Sequence, residues 1–383
     1  MYPDIPLSLY VHFPWCVKKC PYCDFNSHAL RDNLPEHAYV DALIQDLHQQ
    51  MLQLPDRMIQ TVFMGGGTPS LISPVEIQRL MEALKSSGRL AKAAEVTMEA
   101  NPGTLDEAFF EDYLSAGINR LSIGVQSFDN AVLKKIGRIH SAEQAQSAIS
   151  RAKQAGFERI NLDLMYGLPG QTVEDSGRDI EIALSQGVSH LSVYQLTIEA
   201  NTEFAVNKPR LPDSDQYWEM HEQAQSLLQA AEFKQYEVSA FSQNSACQHN
   251  LNYWQFGDYL AIGAGAHGKL SGIDEAGKFG IKRYWNYRHP KAYLDAIKTD
   301  KFVEQSKAVP EDERDLEFLM NALRLRSGFE LCTYSARTHG DVRALMEKLS
   351  PSFDKGWMER DGEMVRTTET GFRYLDSILL EYF

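Results

Sequence analysis

The first two hundred residues alternate short apolar runs with amphipathic segments, and this alternation limits the fold more than any other feature of the chain. The apolar runs are almost continuous, as expected for strands buried on both faces of a parallel sheet. They are Leu7–Phe13, Thr61–Met64, Glu95–Glu99, Leu121–Gln126, Ile160–Met165 and Leu191–Leu196. Six βα units spaced by about 30 residues predict parallel strands with right-handed crossovers.

Two architectures accommodate six such units, a doubly wound sheet and a full or partial (β/α) barrel. Polar residues recur where the predicted strands end, at Gly65, Glu99, Gln126 and Asp163. Sites in β/α barrels are built at the carboxyl ends of the strands. The pattern therefore favours an α/β fold with a partial, TIM-like (β/α) barrel.

The pattern also divides the chain into three predicted regions. Residues 1–240 are predicted to form the partial barrel and to carry its N-terminal loop. Residues 241–305 form a less regular extension, and residues 306–383 a C-terminal α+β domain of helical, winged-helix type. In the last region Asp361-Gly362 lies between residues of strand type, a strong signal for a hairpin.

A winged helix suggests DNA binding, whereas a structural cap is the simpler interpretation. Residues 310–383 hold 10 basic and 15 acidic residues, and the whole chain has a net charge of −14. Nucleic-acid binding requires a basic face. The charge therefore favours the cap and predicts no nucleic-acid partner.

Composition and the first residues predict a soluble, cytoplasmic chain. Hydrophobic residues make up 43% of the sequence, enough for a sizeable core. No apolar run reaches the ~18 residues of a transmembrane helix. Residues 1–4 show no basic segment of the kind that begins a signal peptide.

The cysteines point to a metal rather than to disulfides. Cys16, Cys20 and Cys23 form the pattern C-x3-C-x2-C directly after the first predicted strand. A structural zinc site needs four ligands, and only His12 and His28 lie nearby as a fourth. Three thiolates on a short loop favour a [4Fe–4S] cluster with one iron open to a second molecule.

Glycines and polar residues at the other strand ends accompany this cysteine loop. Gly65-Gly66-Gly67-Thr68 follows the second strand, and three glycines let the backbone approach a ligand closely. A tight βα turn would need only one glycine. Further candidates to bind a ligand at this rim are Glu99, Gln126, Arg138 and Asp163. Each has a simpler interpretation by itself, and a surface charge is the simpler one for Arg138.

Taken together, these motifs resemble those of the radical S-adenosylmethionine (SAM) superfamily. The resemblance implies that Cys16, Cys20 and Cys23 hold a [4Fe–4S] cluster whose open iron is chelated by SAM. More narrowly, the segments Leu9–Cys16, Gly65–Pro69, Gly124–Phe128 and Asp163–Gly170 resemble the oxygen-independent coproporphyrinogen III oxidase family. In that family the SAM-contacting positions correspond to Tyr10, Gly66, Gly67, Thr68, Glu99, Gln126, Arg138 and Asp163.

Two departures distinguish the chain from the oxidases of that family. The oxidases carry a further cysteine where this sequence has Phe25, and they have a long extension before the tyrosine that corresponds to Tyr10. Both departures agree with a paralogous group, the heme chaperones called HemW. The string His249-Asn250-Leu251-Asn252-Tyr253-Trp254 resembles the HNxxYW motif of that group.

Chemistry gives this string two interpretations. Histidine is a good axial ligand of heme iron, and aromatic rings offer flat faces to a porphyrin. The resemblance to the HNxxYW motif implies that His249, Tyr253 and Trp254 are candidate heme-binding residues. The alternative is a hydrogen-bonded loop histidine with its aromatic neighbours in the core. Cys247 and His267 are weaker candidates for the ligand.

The resemblance implies a heme chaperone that binds heme, a [4Fe–4S] cluster and SAM. Its expected partners are apo-hemoproteins of respiration, an electron donor where SAM is cleaved, and transiently the membrane. The first alternative is oxidative decarboxylation of coproporphyrinogen III to protoporphyrinogen IX, which the phenylalanine at position 25 disfavours. The second is a radical SAM enzyme that acts on another substrate.

Overall fold

The structure is a computed structural model that describes residues 5–31, 33–54, 56–103 and 109–381. Residues 1–4, which entered the prediction of localisation, lie outside these ranges. All six predicted strands are confirmed. In chain order, and with two short strands that follow the first, they are β1 (Leu7–Phe13), β2 (Trp15–Cys16), β3 (His28–Ala29), β4 (Ile59–Gly66), β5 (Leu90–Ala100), β6 (Arg120–Gln126), β7 (Ile160–Tyr166) and β8 (His190–Gln195).

Helices follow the strands of this first part, as the alternation of the sequence predicts. They are α1 (Glu36–Leu52), α2 (Pro74–Ser86), α3 (Phe110–Ala116), α4 (Asn130–Lys135), α5 (Ala142–Gln154), α6 (Val173–Ser185), α7 (Glu203–Val206) and α8 (Ser214–Ala230). Local chemistry fixes their ends. Ser141 and Thr172 begin α5 and α6 with capping boxes, and Gly117 ends α3 in the left-handed conformation, with φ 112°.

The strands β1, β4, β5, β6, β7 and β8 lie side by side in this order, and all neighbours are parallel. A doubly wound sheet would reverse its strand order at a switch point, and this sheet does not. The α/β partial barrel is therefore confirmed. Burial of all seven residues of β6 agrees with its position in the middle of the sheet.

The remaining strands extend this sheet at both edges. They are β9 (Lys234–Glu237), β10 (Ala240–Ser242), β11 (Asp258–Ile262), β12 (His267–Ile273), β13 (Phe279–Asn286) and β14 (Val303–Ala308). At one edge β10 and β9 add antiparallel to β8. At the other edge β11 pairs parallel with β1, and β12, β13 and β14 follow antiparallel.

Two short helices interrupt this second part of the sheet. They are α9 (Gln248–Trp254), which carries the HNLNYW string, and α10 (Pro290–Ala296). The region predicted as a separate extension therefore continues the barrel sheet. The exact division of the chain at residues 240 and 305 stays a prediction.

The C-terminal part combines helices with a small antiparallel sheet. Its elements are α11 (Arg314–Ala322), β15 (Phe329–Glu330), α12 (Leu331–Thr338), α13 (Val342–Asp354), β16 (Met358–Asp361), β17 (Met364–Thr367), α14 (Glu369–Arg373) and α15 (Leu375–Leu380). The hairpin predicted from Asp361-Gly362 joins β16 to β17, where Asp361 pairs with Met364. The winged-helix-type α+β arrangement is thus confirmed.

Two hydrophobic cores hold these parts. The larger core lies between the barrel strands and their helices, and the smaller joins C-terminal residues such as Phe318 and Val365 to Phe279 and Ile281 of β13. Within the described ranges, no helix has the length and apolar character needed to cross a membrane.

Candidate functional site

The carboxyl ends of the parallel strands surround a cavity of about 460 Å³, which we call the cysteine cavity. Ten of the residues predicted from the sequence to bind the cluster or SAM line it together. They are Cys16, Cys20, Cys23, Gly66, Gly67, Thr68, Glu99, Gln126, Arg138 and Asp163. Because these residues come from the loop after β1, from the carboxyl ends of β4, β5 and β6, from the loop after α4 and from the middle of β7, the barrel brings together positions that span about 150 residues of sequence.

The cysteine loop folds back between the short parallel strands β2 and β3. A turn in which the amide of Cys23 donates to the carbonyl of Cys20 at 3.1 Å keeps these two side chains close. All three cysteines of the loop are partly buried free thiols. The loop therefore presents three sulfur atoms to one cavity without a disulfide competing for them.

Each of these sulfur atoms has a polar neighbour. The hydroxyl of Thr68 donates to Sγ of Cys16 at 3.5 Å, and Nη1 of Arg138 donates to Sγ of Cys20 at 3.9 Å. The hydroxyl of Ser27 lies 3.9 Å from Sγ of Cys23. Such donors favour the thiolate, which is the metal-binding form of cysteine.

The pKa values of two thiols reflect this balance. Burial raises the pKa of Cys16 and Cys23, and the hydrogen bonds from Thr68 and Ser27 act in the opposite direction. Among the described residues, no group of three or more His, Cys, Asp or Glu side chains is placed to hold one metal ion. The thiolates of an iron–sulfur cluster bind separate irons, so three sulfurs around a shared cavity fit such a cluster.

The two histidines considered as a fourth zinc ligand lie away from this cavity. Nδ1 of His12 lies 3.0 Å from the hydroxyl of Tyr10, and Nε2 lies 2.9 Å from the carbonyl of Asn26. His28 pairs with Trp15 in the small sheet, and its ring contacts His289 edge-on. Neither side chain completes a four-ligand set with the cysteines.

Glycines let the loop after β4 reach the cavity. A Cβ on Gly66, whose φ is +109°, would lie 2.2 Å from Cε1 of His12, and one on Gly67 would lie 2.5 Å from the carbonyl oxygen of Trp15. The amide of Gly67 also donates to the carbonyl of Phe13 at 2.7 Å. Side chains larger than hydrogen would thus push this loop away from the cysteines.

Glu99 faces this glycine loop from the end of β5. Its Oε2 accepts a hydrogen bond from the amide of Gly66 at 3.0 Å. Burial, with a smaller contribution from the charge of Asp163, raises the pKa of Glu99 to about 7. A carboxyl group poised near neutrality suits the recognition of a ligand amine.

Arg138 connects two of the cysteines through a chain of hydrogen bonds. One of its nitrogens donates to Cys20, and the other donates to Oδ1 of Asn101 and to the carbonyl of Gly124. Nδ2 of Asn101 then donates to Thr68 at 2.9 Å, and Thr68 donates to Cys16. Arg138 is therefore part of the cavity, and the interpretation as a surface charge is wrong.

The end of β6 and the middle of β7 complete the rim, so Asp163, which was predicted near a strand end, lies within its strand. Gln126 has a φ of +69°, a left-handed conformation that costs energy for any residue but glycine, and its Oε1 accepts from the hydroxyl of Tyr194 at 2.7 Å. The carboxylate of Asp163 accepts from Ser122 at 3.0 Å and from Asn161 at 2.8 Å. Both side chains are held by their neighbours while they line the cavity.

Sequence patterns missed several residues of this site. Asn101, Ser122 and Tyr194 line the cysteine cavity and hold predicted residues in place. A signal was present for all three, since Ser122 and Tyr194 lie on predicted strands and Asn101 lies two residues after Glu99, just past the end of β5. Their hydrogen bonds depend on neighbouring strands, which one segment alone does not reveal.

Tyr10, predicted with the SAM set, lines a different cavity. This second cavity has a volume of about 720 Å³ and adjoins the first, with Gly66, Glu99 and Phe25 lining both. We call it the aromatic cavity, because its walls include Tyr10, Tyr253, Trp254, Tyr259 and Trp285. Phe25 is 56% exposed at the junction of the two.

The three candidate heme residues do not all lie in one cavity. Tyr253 and Trp254 line the aromatic cavity, and His249 does not. His249 is fully buried, with Nδ1 2.8 Å from the hydroxyl of Thr61 and Nε2 2.9 Å from the hydroxyl of Tyr253. Both ring nitrogens are thus engaged within the protein in this conformation. Cys247 is buried too, and its thiol donates to Glu95 at 3.3 Å.

A parallel partial barrel with three cysteines and a glycine loop at its carboxyl rim defines the class of radical SAM proteins. The radical SAM superfamily model matches residues 10–182, and the HemN C-terminal domain model matches residues 309–374. The chain is 43% identical over 375 residues to the heme chaperone HemW of Escherichia coli (strain K12), covering 98% of this chain and 97% of that protein. It belongs to the HemW family.

Further relatives support this assignment. The heme chaperone HemW of Haemophilus influenzae is 42% identical over 379 residues, covering 98% of this chain and 97% of that protein. Among solved structures, the coproporphyrinogen III oxidase HemN of Escherichia coli superimposes with a TM-score of 0.83 at 22% identity, covering 100% of this chain and 91% of that chain. The likeness to HemN extends the shared fold through the C-terminal domain.

Proposed function

We propose that this protein is a heme chaperone, which binds heme together with a [4Fe–4S] cluster and SAM and delivers heme to apo-hemoproteins. The observation that carries the proposal is the identity of 42–43% with two proteins named as heme chaperones, over 98% of the chain. The two adjoining cavities support it, because one offers thiols and a polar rim and the other offers aromatic walls.

Within the cysteine cavity, the thiolates of Cys16, Cys20 and Cys23 would hold the cluster. When bound, such a cluster supplies an electron and an iron position open to the amino and carboxylate groups of SAM. Glu99 is placed to accept a ligand amine, and Arg138 to neutralise anionic groups near Cys20. Asp163, anchored by Ser122, offers acceptors to ribose hydroxyls.

Oxidation of coproporphyrinogen III is the second candidate function, and the shared fold with HemN favours it. Phe25 argues against it, since a phenyl ring stands where the oxidases have a thiol. A phenyl ring can neither bind a metal nor transfer a proton or electron in place of that thiol. The chaperone is therefore the preferred function.

The proposed setting follows from the same relationship. We expect the protein to work in the cytoplasm, with apo-hemoproteins of respiration as clients and with an electron donor where SAM is cleaved. Transient contact with the membrane would follow from clients located there. The net charge of −14 disfavours a standing attachment to an anionic lipid surface and disfavours nucleic acid as a partner.

One experiment with two arms tests the proposal on the full chain after anaerobic reconstitution of the cluster. The first arm combines the protein with SAM, a reductant and coproporphyrinogen III, and separates the porphyrins afterwards. The second arm loads the protein with hemin and mixes it with a soluble apo-cytochrome of the b type. We expect no protoporphyrinogen in the first arm and transfer of heme in the second.

The opposite pattern, conversion of coproporphyrinogen without heme transfer, would make the protein an oxidase. Cleavage of SAM that depends on a third compound and needs no heme would point to another substrate. Cys20→Ala is the variant expected to lose the broad absorbance of the cluster near ~400 nm. Cys332→Ala is its matched control, because Cys332 is exposed in α12, outside both cavities.

A further inference from the structure

The aromatic cavity has the composition expected for a flat, largely apolar ligand. The five tyrosine and tryptophan rings that line it come from β1, α9, β11 and β13, so different parts of the chain converge on one space. Tyr253 and Tyr259 meet edge to face at 4.6 Å, and Arg324 lies 4.3 Å above the ring of Trp254. Rings fixed in this way offer broad contact area at low entropic cost.

One histidine of this cavity is free to bind a metal. His267, at the start of β12, is exposed and lines the cavity, and its ring stacks on Trp285 at 5.8 Å and 20°. Within the described ranges, its ring nitrogens make no hydrogen bond. Partial shielding of the ring from water by the cavity wall, with the nearby charges of Arg283 and Arg288, lowers its pKa, so the imidazole is neutral and able to coordinate at pH 7.

The other two histidines near the cavity are not free in this way. His12 lines the wall, and both of its nitrogens are held, one by Tyr10 and one by the carbonyl of Asn26. His249 lies behind the wall and holds the hydroxyl of Tyr253. His249 therefore acts as a positioning residue for an aromatic wall.

One arginine of the cavity is available for a carboxylate ligand. Arg283 is engaged by Glu317 and by the hydroxyl of Tyr259, and Lys269 is engaged by Asp258. Arg288 is exposed, donates through Nε to Asn26 at 3.4 Å, and forms no ion pair with the carboxylates of the described residues. Asp24 and Glu304 also line the cavity, so Arg288 is the side chain suited to a propionate.

We propose that the aromatic cavity is the heme site, that His267 is the ligand of the heme iron, and that Arg288 pairs with a propionate. The inference rests on the proposed chaperone function and adds the location to it. Because Gly66 and Glu99 line both cavities, heme bound here would share a wall with the SAM site. Occupancy of one site can then influence the other through these two residues.

The test is a titration of the full-length, cluster-loaded protein with hemin, followed by the Soret absorbance, with protoporphyrin IX lacking iron as a second probe. His267→Ala should weaken hemin binding by about tenfold or more and remove the spectrum of histidine ligation, while leaving protoporphyrin IX binding unchanged. His48→Ala, an exposed histidine of α1, should behave as the wild type.

Arg288→Gln provides independent support, since it alters charge and leaves the iron ligand in place. It should weaken both probes by about five- to tenfold, and the loss should vanish with the dimethyl ester of hemin. Arg343→Gln, an exposed arginine of α13, is the matched control. Circular dichroism of each variant establishes that it folds, and His267→Gln serves if His267→Ala does not.

Two failures would be distinguishable. If the wild type binds and transfers hemin, and His267→Ala and Arg288→Gln keep its affinity and spectrum, the site is elsewhere and the chaperone function stands. If the wild type binds no hemin, the proposed function itself is overturned. Loss of histidine ligation in a folded His249→Ala variant, with His267→Ala unaffected, would assign the iron to His249 and also contradict the inference.

Discussion

The Nε2 atom of His249 lies 2.9 Å from the hydroxyl oxygen of Tyr253, one turn later in α9. On the opposite side of the ring, Nδ1 lies 2.8 Å from Thr61, whose hydroxyl lies 2.7 Å from that of Ser8. The histidine of the HNLNYW string thus connects the barrel interior to a wall of the aromatic cavity. His249 therefore stabilises the fold and orients the side chain of Tyr253.

Replacing this histidine should therefore cost stability. His249→Ala leaves the hydroxyls of Thr61 and Tyr253 without their partner and opens a space in the core. We expect the free energy of unfolding to fall by about 2–4 kcal/mol, measured by urea denaturation. His48→Ala should change it by less than ~0.5 kcal/mol, because its side chain is exposed. Equal stability of the two variants would contradict the buried network.

The same residue predicts a pH dependence. Burial, with a smaller effect of the charge on Arg120, lowers the pKa of His249 to about 3. The unfolded chain takes up this proton near pH 6.5, whereas the folded chain does not, so the free energy of unfolding falls as pH drops from 6.5 towards 3. His249→Asn should reduce that fall by up to about 1.4 kcal/mol per pH unit.

The measurement is urea denaturation at pH 7, 6 and 5 on both proteins. His12 and His140, with pKa values lowered to about 4, act in the same direction and keep part of the slope in the variant. Identical slopes for variant and wild type would show that His249 is protonated in the folded state.

The sequence alone sufficed for much of the architecture because the barrel is built from local signals. Continuous apolar runs located the strands, and β1 was predicted with its observed bounds, Leu7–Phe13. Asp361-Gly362 located the final hairpin, since a two-residue turn needs a positive φ and Gly362 has +58°. Each of these signals lies within one short segment.

Contacts between distant segments could not be predicted from such local signals. His249 was expected at a ligand position because its string resembles the HNxxYW motif, and its contact with Thr61, 188 residues away, shows that its Nδ1 atom is occupied. Arg138 by itself was compatible with a surface charge, but the loop after α4 places it against Cys20 and Asn101. Tyr10 belongs to the predicted set by sequence, yet it lines the aromatic cavity and not the cysteine cavity.

Glu99 is expected to lower the stability of the cofactor-free protein and to strengthen SAM binding. Because burial raises its pKa from 4.5 to about 7, ionisation opposes folding. This cost is absent below about pH 4.5, grows as the pH rises from 4.5 to 7, and is constant above 7. Glu99→Gln should make the cofactor-free protein more stable at pH 8, by on the order of 2 kcal/mol, and should change its stability little at pH 4. Thermal unfolding at both values measures the difference.

The effect of Glu99→Gln on ligand binding is measured with SAM. Loss of the carboxylate should weaken SAM binding to the cluster-loaded protein by about tenfold or more, measured by equilibrium dialysis. Glu174→Gln, on the outer helix α6, is the control for charge alone. An unchanged SAM affinity would remove Glu99 from the site, whatever its effect on stability.

A substitution at Arg138 is expected to weaken SAM binding without preventing assembly of the cluster. Arg138→Lys keeps the charge but cannot serve Cys20, Asn101 and Gly124 at once, because lysine lacks the forked geometry of a guanidinium. We expect the iron content after reconstitution to be retained, since the three thiols remain, and SAM affinity to fall by about tenfold. Arg178→Lys on α6 is the control, and loss of iron in Arg138→Lys alone would show that the cluster itself needs the guanidinium.

An added methyl group is expected to have its largest effect on stability and SAM binding at Gly66. Its φ of +109° disfavours any side chain, and a Cβ there would lie 2.2 Å from the ring of His12, which two hydrogen bonds hold in place. Gly66→Ala should lower the free energy of unfolding by ~3 kcal/mol or more and abolish SAM binding. Gly277→Ala is the matched control, since Gly277 also has a positive φ, +81°, and open space around it.

The control should cost only the backbone strain, about 1 kcal/mol, and should keep SAM binding. The difference between the two variants in urea denaturation then isolates the contact with His12 from the backbone conformation that both glycines share. Similar losses in both would show that the glycine loop has room to move, and that its closeness to His12 is not what holds it at the rim.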